Sequence, residues 1–187
     1  MRQCRVAVGC KTKLDKWICS SGMTMELLLQ TIRNSLLGIT NPRFYDTERG
    51  FQGELLSEIR NRLPQLGIDG AIVEQEYQKR NSEHGLKIRP DIIVHVPFVA
   101  SMFESRSDGN FVVIEIKRRA NRGEAIGDYE SLCRMCQVLN YPLAVFINID
   151  SDETFIDDCP PLAQGQIHSF AVRLINGSVE VMEQVAV

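Results

Sequence analysis

The sequence predicts a mixed α/β fold, a sandwich of helices around one central sheet, and three observations predict it. Segments with helical spacing of apolar residues alternate with short runs rich in Val, Ile and Phe. Leu143 to Ile149 is almost continuously apolar, as expected of a strand covered on both faces. Asn176-Gly177, set between two alternating segments, is a strong hairpin signal. The 187 residues suffice for one domain of ordinary size and are few for two.

Residues 1–45 read as an N-terminal extension with one helix, and residues 46–187 as the main domain. Thr24 can cap a helix to Leu37, with Leu27, Leu28, Ile32, Leu36 and Leu37 on one face and Gly38 ending it. Asp46 or Thr47 can cap a second helix, which Pro64 and Gly67 stop near Leu63. Ala71 to Tyr77 reads as a strand, Lys79 to Gly85 as a turn, and residues 91–96 and Phe111 to Lys117 as two more strands. Gly123 to Asn140 spaces Ile126, Tyr129, Leu132, Met135 or Cys136, and Leu139 as a helix does. The Leu143 strand follows, and strands around Ser169–Leu174 and Val179–Glu183 close the chain as a hairpin.

Twenty-one Lys and Arg against 24 Asp and Glu give a net charge of -3, which excludes a general polycation that coats nucleic acid. It permits a local basic surface beside an acidic site. Met25 to Leu29 is too short and too soon broken by polar residues to span a bilayer, and no secretory signal follows the basic N-terminus. Six cysteines are spread over a chain with a full apolar quota, so disulfide staples are not needed and a reducing cytoplasm is the expected location.

Chemistry concentrates at Arg89-Pro90-Asp91 and at Glu115-Ile116-Lys117. Side chains alternate along a strand, so Phe111, Val113, Glu115 and Lys117 share one face, and Val112, Ile114 and Ile116 the other. Glu115 and Lys117 are then about 6.5–7 Å apart along the strand. If the two strands pair antiparallel across Pro97–Gly109, Val96 opposes Asn110, and counting back sets Asp91 opposite Glu115. Carboxylates so paired have Cβ atoms about 4.5–5.5 Å apart. At an effective dielectric of about 20, their repulsion at 4 Å is roughly 4 kcal/mol. A divalent cation removes that penalty, and hard oxygen ligands suit Mg²⁺ or Mn²⁺ rather than zinc. Lys117 is set to orient or deprotonate a water held there. Singly, Glu-x-Lys on a strand and Pro-Asp before one are ordinary surface features; their consistent register is what points to a site.

Pro90-Asp91 followed by Glu115-Ile116-Lys117 resembles the PD-(D/E)XK nuclease signature of the restriction-endonuclease-like superfamily. Residues 46–150 resemble its α-β-β-β-α-β core, to which this chain adds an N-terminal helix and a C-terminal β-hairpin. The resemblance implies metal-dependent phosphodiester hydrolysis, with Asp91 and Glu115 as ligands, the Ile116 carbonyl as a further one, and Lys117 beside the attacking water. Such nucleases usually add an acid from the first core helix, here Glu48, Glu54 or Glu58. Glu48 and Gln52 fall in line with Leu55, Ile59 and Leu63, so Glu48 is the expected catalytic acid. An acid in a first helical turn also simply suits the helix dipole.

Gln137 and Tyr141 resemble the Gln-x-x-x-Tyr motif of RecB-like and lambda-exonuclease-like nucleases, although a structural role is the expectation for them. Cys133 and Cys136 lie inside the expected helix and read as buried thiols. His84, His95 and His168 have no companion at ligand spacing, and His95 is expected to serve the sheet edge or a helix.

Lys79, Arg80, Lys87 and Arg89 precede the Asp91 strand, and Arg118, Arg119 and Arg122 follow Lys117. Arg89, Arg118, Arg119 and Arg122 are the expected nucleic-acid contacts, supplying affinity through phosphates without sequence preference. The expectation is a Mg²⁺-dependent deoxyribonuclease acting on DNA, with RNA left open, no membrane, and a homodimer or a partner protein to help cut both strands. The alternative is a catalytically inactive module of the same fold that binds nucleic acid or protein.

Overall fold

The computed structural model describes residues 25–75, 88–101, 103–161 and 165–186. Among the described residues, six strands stand in chain order in one sheet: β1 (Ile72–Gln75), β2 (Ile92–His95), β3 (Asn110–Arg118), β4 (Leu143–Ile149), β5 (Ile167–Ile175) and β6 (Ser178–Val185). β1, β2 and β3 run antiparallel, β3, β4 and β5 parallel, and β6 returns antiparallel to β5. Helices α1 (Met25–Gly38) and α2 (Glu48–Arg62) cover one face, and α3 (Arg122–Leu139), which carries the chain from β3 to β4, covers the other. The architecture is α/β, with a mixed central sheet flanked by helices and a C-terminal hairpin. Among the described residues, no helix is long and apolar enough to cross a membrane.

Local chemistry sets the helix ends. The Thr47 hydroxyl accepts from the Gly50 N–H at 3.0 Å and opens α2. A 3₁₀ turn at Leu63–Leu66, with Pro64 inside it and Gly67 at φ +66°, closes that helix. α3 opens on a capping box of Asn121 and Glu124 and ends at Asn140 in the left-handed region. The Thr24 cap, the end of the first expected strand at Tyr77, and the Lys79–Gly85 turn lie outside the described residues. On α1 the buried stripe is Leu28, Thr31, Ile32, Ser35 and Leu36, while Leu27 and Leu37, expected on that face, are exposed. Thr31 and Ser35 enter the stripe because their hydroxyls donate to the carbonyls of Leu27 and Thr31, each at 2.8 Å.

The sheet's centre is apolar on both faces. Ile114 and Ile116 of β3 pack with Leu28, Ile32, Leu36, Phe51 and Leu55 from α1 and α2. Val113 faces Tyr129, Leu132 and Met135 of α3. β4 is buried along its whole length. At the terminal hairpin, Asn176 and Gly177 both have positive φ, 51° and 81°, as a two-residue turn of the primed type demands.

The β2–β3 register departs from expectation at one end. His95, not Val96, opposes Asn110, and a bulge between Val94 and His95 restores the expected pairs Val94–Val112, Ile93–Val113 and Ile92–Ile114. Phe111 is the extra residue. It therefore packs with Val112 and Ile114 on the α1–α2 face instead of sharing the Val113 face. Gly109 makes the close approach possible: the Val96 N–H donates to its carbonyl at 2.8 Å, and a Cβ there would stand 2.3 Å from the Val96 oxygen.

Because Leu36 is fully buried between α1 and the sheet, Leu36→Ala should cost about 2–5 kcal/mol of stability. Urea unfolding of the variant beside the parent measures it; a loss below the lower bound would mean that α1 is not part of the cooperative core.

Candidate functional site

β3 leaves the apolar core at its C-terminal end, where Glu115 is the last buried side chain on the α3 face and Lys117 is half-buried beyond it. Pro90 is buried just before β2, so Asp91 enters at the start of that strand. Ile92–Ile114 is the last ladder pair, and continuing it sets Asp91 across from Glu115. Asp91 does not turn away. Its Oδ2 accepts from the Ile116 N–H at 2.7 Å, and its own carbonyl accepts from Gln52 Nε2 at 2.6 Å. Gln52 is buried on α2, so a side chain from one helical layer clamps the backbone that aims the acid.

The two carboxyl groups lie within hydrogen-bonding reach of each other. Burial pushes Glu115 up to about 9, and the charges of Asp91 and Asp128 push it the same way. Burial raises Asp91 also, although the Ile116 N–H and Lys117 pull it back. Both acids are thus pushed toward the protonated form, Glu115 strongly. Burial works against the charge of Lys117, but Asp128, Asp91, Glu115 and Glu48 together outweigh it and hold the ammonium above its ordinary value.

Glu48 arrives from the other side of the sheet. It is the first residue of α2, and its Oε1 accepts from the Arg118 N–H at 3.0 Å. It is exposed, not buried in line with Leu55 and Ile59 as expected, because the helix starts at the rim; Gln52, one turn on, takes the buried place. The helix-dipole position and the reach to β3 coincide in one residue. Glu58 instead pairs with Arg62, and Glu54 makes no such approach to β3.

Asp128, on the second turn of α3, was not singled out by sequence. Its Oδ2 stands 3.5 Å from Lys117 Nζ. The signal was present: Asp128 lies between Ala125 and Leu132 at helical spacing, an acid within the buried stripe.

The arginines expected at phosphates are engaged with the protein. Arg118 donates to the Tyr45 carbonyl at 2.8 Å and to Asp150 at 3.0 Å, and Arg119 reaches the same Asp150 at 2.7 Å. Arg122, the first residue of α3, binds Asp158 through two nitrogens. Arg89 is exposed just before Asp91. Lys79, Arg80, Lys87 and His84 lie outside the described residues. His95 Nε2 meets Glu74 at 2.6 Å and His168 Nδ1 meets Glu183 at 3.0 Å, both away from the acids. Tyr141 is buried and Gln137 exposed. Cys133 and Cys136 are buried, and Cys159 partly so.

No protein-family model matches the chain, and no curated protein matches it either. Residues and geometry alone therefore carry the reading of the site. Among the described residues, no group of three or more His, Cys, Asp or Glu side chains is arranged to hold a metal ion. Each acid is turned to a donor of the chain: Asp91 to Ile116, Glu48 to Arg118, Asp128 to Lys117. Residues of a strand point N–H and C=O to the same neighbour, so the Ile116 carbonyl leaves β3 on the edge where Asp91 lies. Asp91, Glu115 and that carbonyl are all oxygen donors, the type that Mg²⁺ or Mn²⁺ takes. A groove of about 1120 Å³ between the end of α2 and β1 contains none of these acids. The site stands where β3 ends and the chain enters β2.

In the presence of chelator, Glu115 gives the protein a distinctive pH response. Its folded value lies above the ordinary 4.5, so the folded chain holds a proton that the unfolded chain releases. Its contribution is complete below about pH 4.5 and is lost as the pH rises through about 9. The thermal midpoint should fall across that window, and Glu115→Gln should flatten the fall; parallel slopes for parent and variant would show that Glu115 does not carry the proton.

Proposed function

We propose that the chain is a Mg²⁺- or Mn²⁺-dependent nuclease of the PD-(D/E)XK type, in the restriction-endonuclease-like fold, hydrolysing DNA phosphodiester bonds. The observation that carries the reading is the Asp91–Glu115 pair beside Lys117, two acids whose mutual repulsion a bound cation would relieve. The order of elements, with Asp91 opening the second strand, Glu115 and Lys117 ending the third, and a helix leading to a parallel fourth, supports it as well. The restriction-endonuclease-like fold itself is part of this proposal.

Asp91, Glu115 and the Ile116 carbonyl would hold the cation, which supplies a lowered pKa for water and charge neutralisation at the scissile phosphate. Asp91 is fixed in direction by Ile116 and Gln52, so its carboxylate would meet the cation with little reorganisation. Lys117, kept charged by the acids around it, acts as donor: it orients the attacking water and offsets charge on the phosphate. Glu48 tethers the end of β3 and adds a carboxylate to the rim. Arg89, Arg118, Arg119 and Arg122 surround that rim as phosphate contacts, the last three by exchanging their present carboxylate partners.

Lys117→Ala should keep the fold and Mn²⁺ binding yet lower cleavage of linear or circular DNA by orders of magnitude. Cleavage at the parental rate would overturn the assigned chemistry. Calorimetric titration with Mn²⁺ should give binding heat that Asp91→Ala abolishes; no heat from the parent would favour the inactive, binding-only module.

A further inference from the structure

The proposed chemistry leaves one acid of the site without a task. Asp128 projects from α3 among Ala125, Tyr129 and Leu132, with its side chain 17% exposed. Its Oδ2 is enclosed and, among the described residues, meets the Lys117 ammonium at ion-pair distance without a well-formed hydrogen bond. The cation facing it is Lys117 Nζ, at 3.5 Å. An enclosed carboxylate is costly even with one ion-pair partner, and an apolar residue of similar size commonly serves folding better. Folding alone therefore does not account for an acid at this point of the stripe.

Geometry supplies an account. Asp91 and Glu115 stand on adjacent strands of the sheet, while Asp128 faces the same amine from the helix above it. A lysine stem is flexible, and fixing it costs rotamer entropy. Once a divalent cation occupies the strand carboxylates, they no longer attract the ammonium, and the cation repels it. Asp128 lies off the strand pair and can still hold Lys117 in line. We propose that Asp128 is a positioning residue for the proposed hydrolysis, fixing the Lys117 ammonium beside the attacking water from α3. This inference rests on the nuclease reading and adds to it a fourth acid whose target is the lysine.

The test uses Asp128→Asn and Asp128→Ala, the second leaving no unsatisfied amide should the first disturb the fold, with Asp128→Glu as the conservative variant. With Mn²⁺ and linear DNA, kcat should fall about 10–100-fold in Asn and Ala, as for other residues that orient a catalytic group. KM should stay unchanged, and Glu should recover part of the rate. In metal-free protein without DNA, acylation of Lys117 by an amine-specific reagent, read by peptide mass spectrometry, should quicken in Asn and Ala and slow again in Glu. Parental cleavage combined with unchanged kcat in Asn and Ala overturns the Asp128 inference alone. A lower kcat with unchanged Lys117 acylation overturns it too, because Asp128 would then act by some route other than the lysine. A parent that neither cuts DNA nor binds Mn²⁺ overturns the nuclease reading, and this inference with it.

Discussion

Two carboxyl groups held face to face at the edge of an apolar sheet cannot both be charged without help. At an effective dielectric of about 20, charges 4 Å apart repel by roughly 4 kcal/mol, and burial adds desolvation. In the chain alone, burial and the neighbouring acids push Glu115 toward its protonated form. The surroundings keep the pair together despite the strain. Ile116 N–H and Gln52 fix Asp91, and Lys117 stands beside both acids with Asp128 behind it. A chain selected only to fold would have relieved this arrangement by a single apolar substitution.

Much of the architecture was legible in sequence because burial on two faces and burial on one leave different periods. The continuous run Leu143–Ile149 became a strand with those bounds, and Asn176-Gly177 became the turn its residue types require. The sequence period also set the pairs Ile92–Ile114 to Val94–Val112, and hence the opposition of Asp91 to Glu115. Phe111 was misplaced because a bulge is one extra residue, and alternation cannot count it. The cue was Gly109, where a backbone oxygen of the facing strand comes too near for any Cβ. On α1, Leu27 and Leu37 were assigned inward by apolarity, whereas Thr31 and Ser35 took the stripe by bonding their hydroxyls to the helix itself.

The site was legible only where neighbours are joined along a strand or across a ladder. Asp91, Glu115 and Lys117 follow from strand geometry. Gln52 and Asp128 come from helices, whose rotation and height against the sheet are set by packing that one sequence does not display. The arginines illustrate the same limit. Their position after Lys117 was readable, but Asp150 and Asp158, distant in sequence, now hold them. Any phosphate must compete with these carboxylates, so the rim's positive charge toward a polyanion is conditional on partner exchange.

Topology explains why one end of the sheet collects the chemistry. β3 and β4 are parallel, so their C-terminal ends lie together, and β2, being antiparallel to β3, begins there with Asp91. α3 starts from the same end because it follows β3 within four residues, and α2 starts there as well, with Glu48 touching the Arg118 N–H. Two helix N-termini thus face the rim that carries the acids, and their dipoles favour negative charge. In α/β sheets this strand end is where ligands are usually accommodated, since loops can vary there without disturbing the core. The acids crowd the end of the sheet where the backbone best tolerates them. Carboxylates so placed can be buried and yet remain within reach of a cation arriving from solvent.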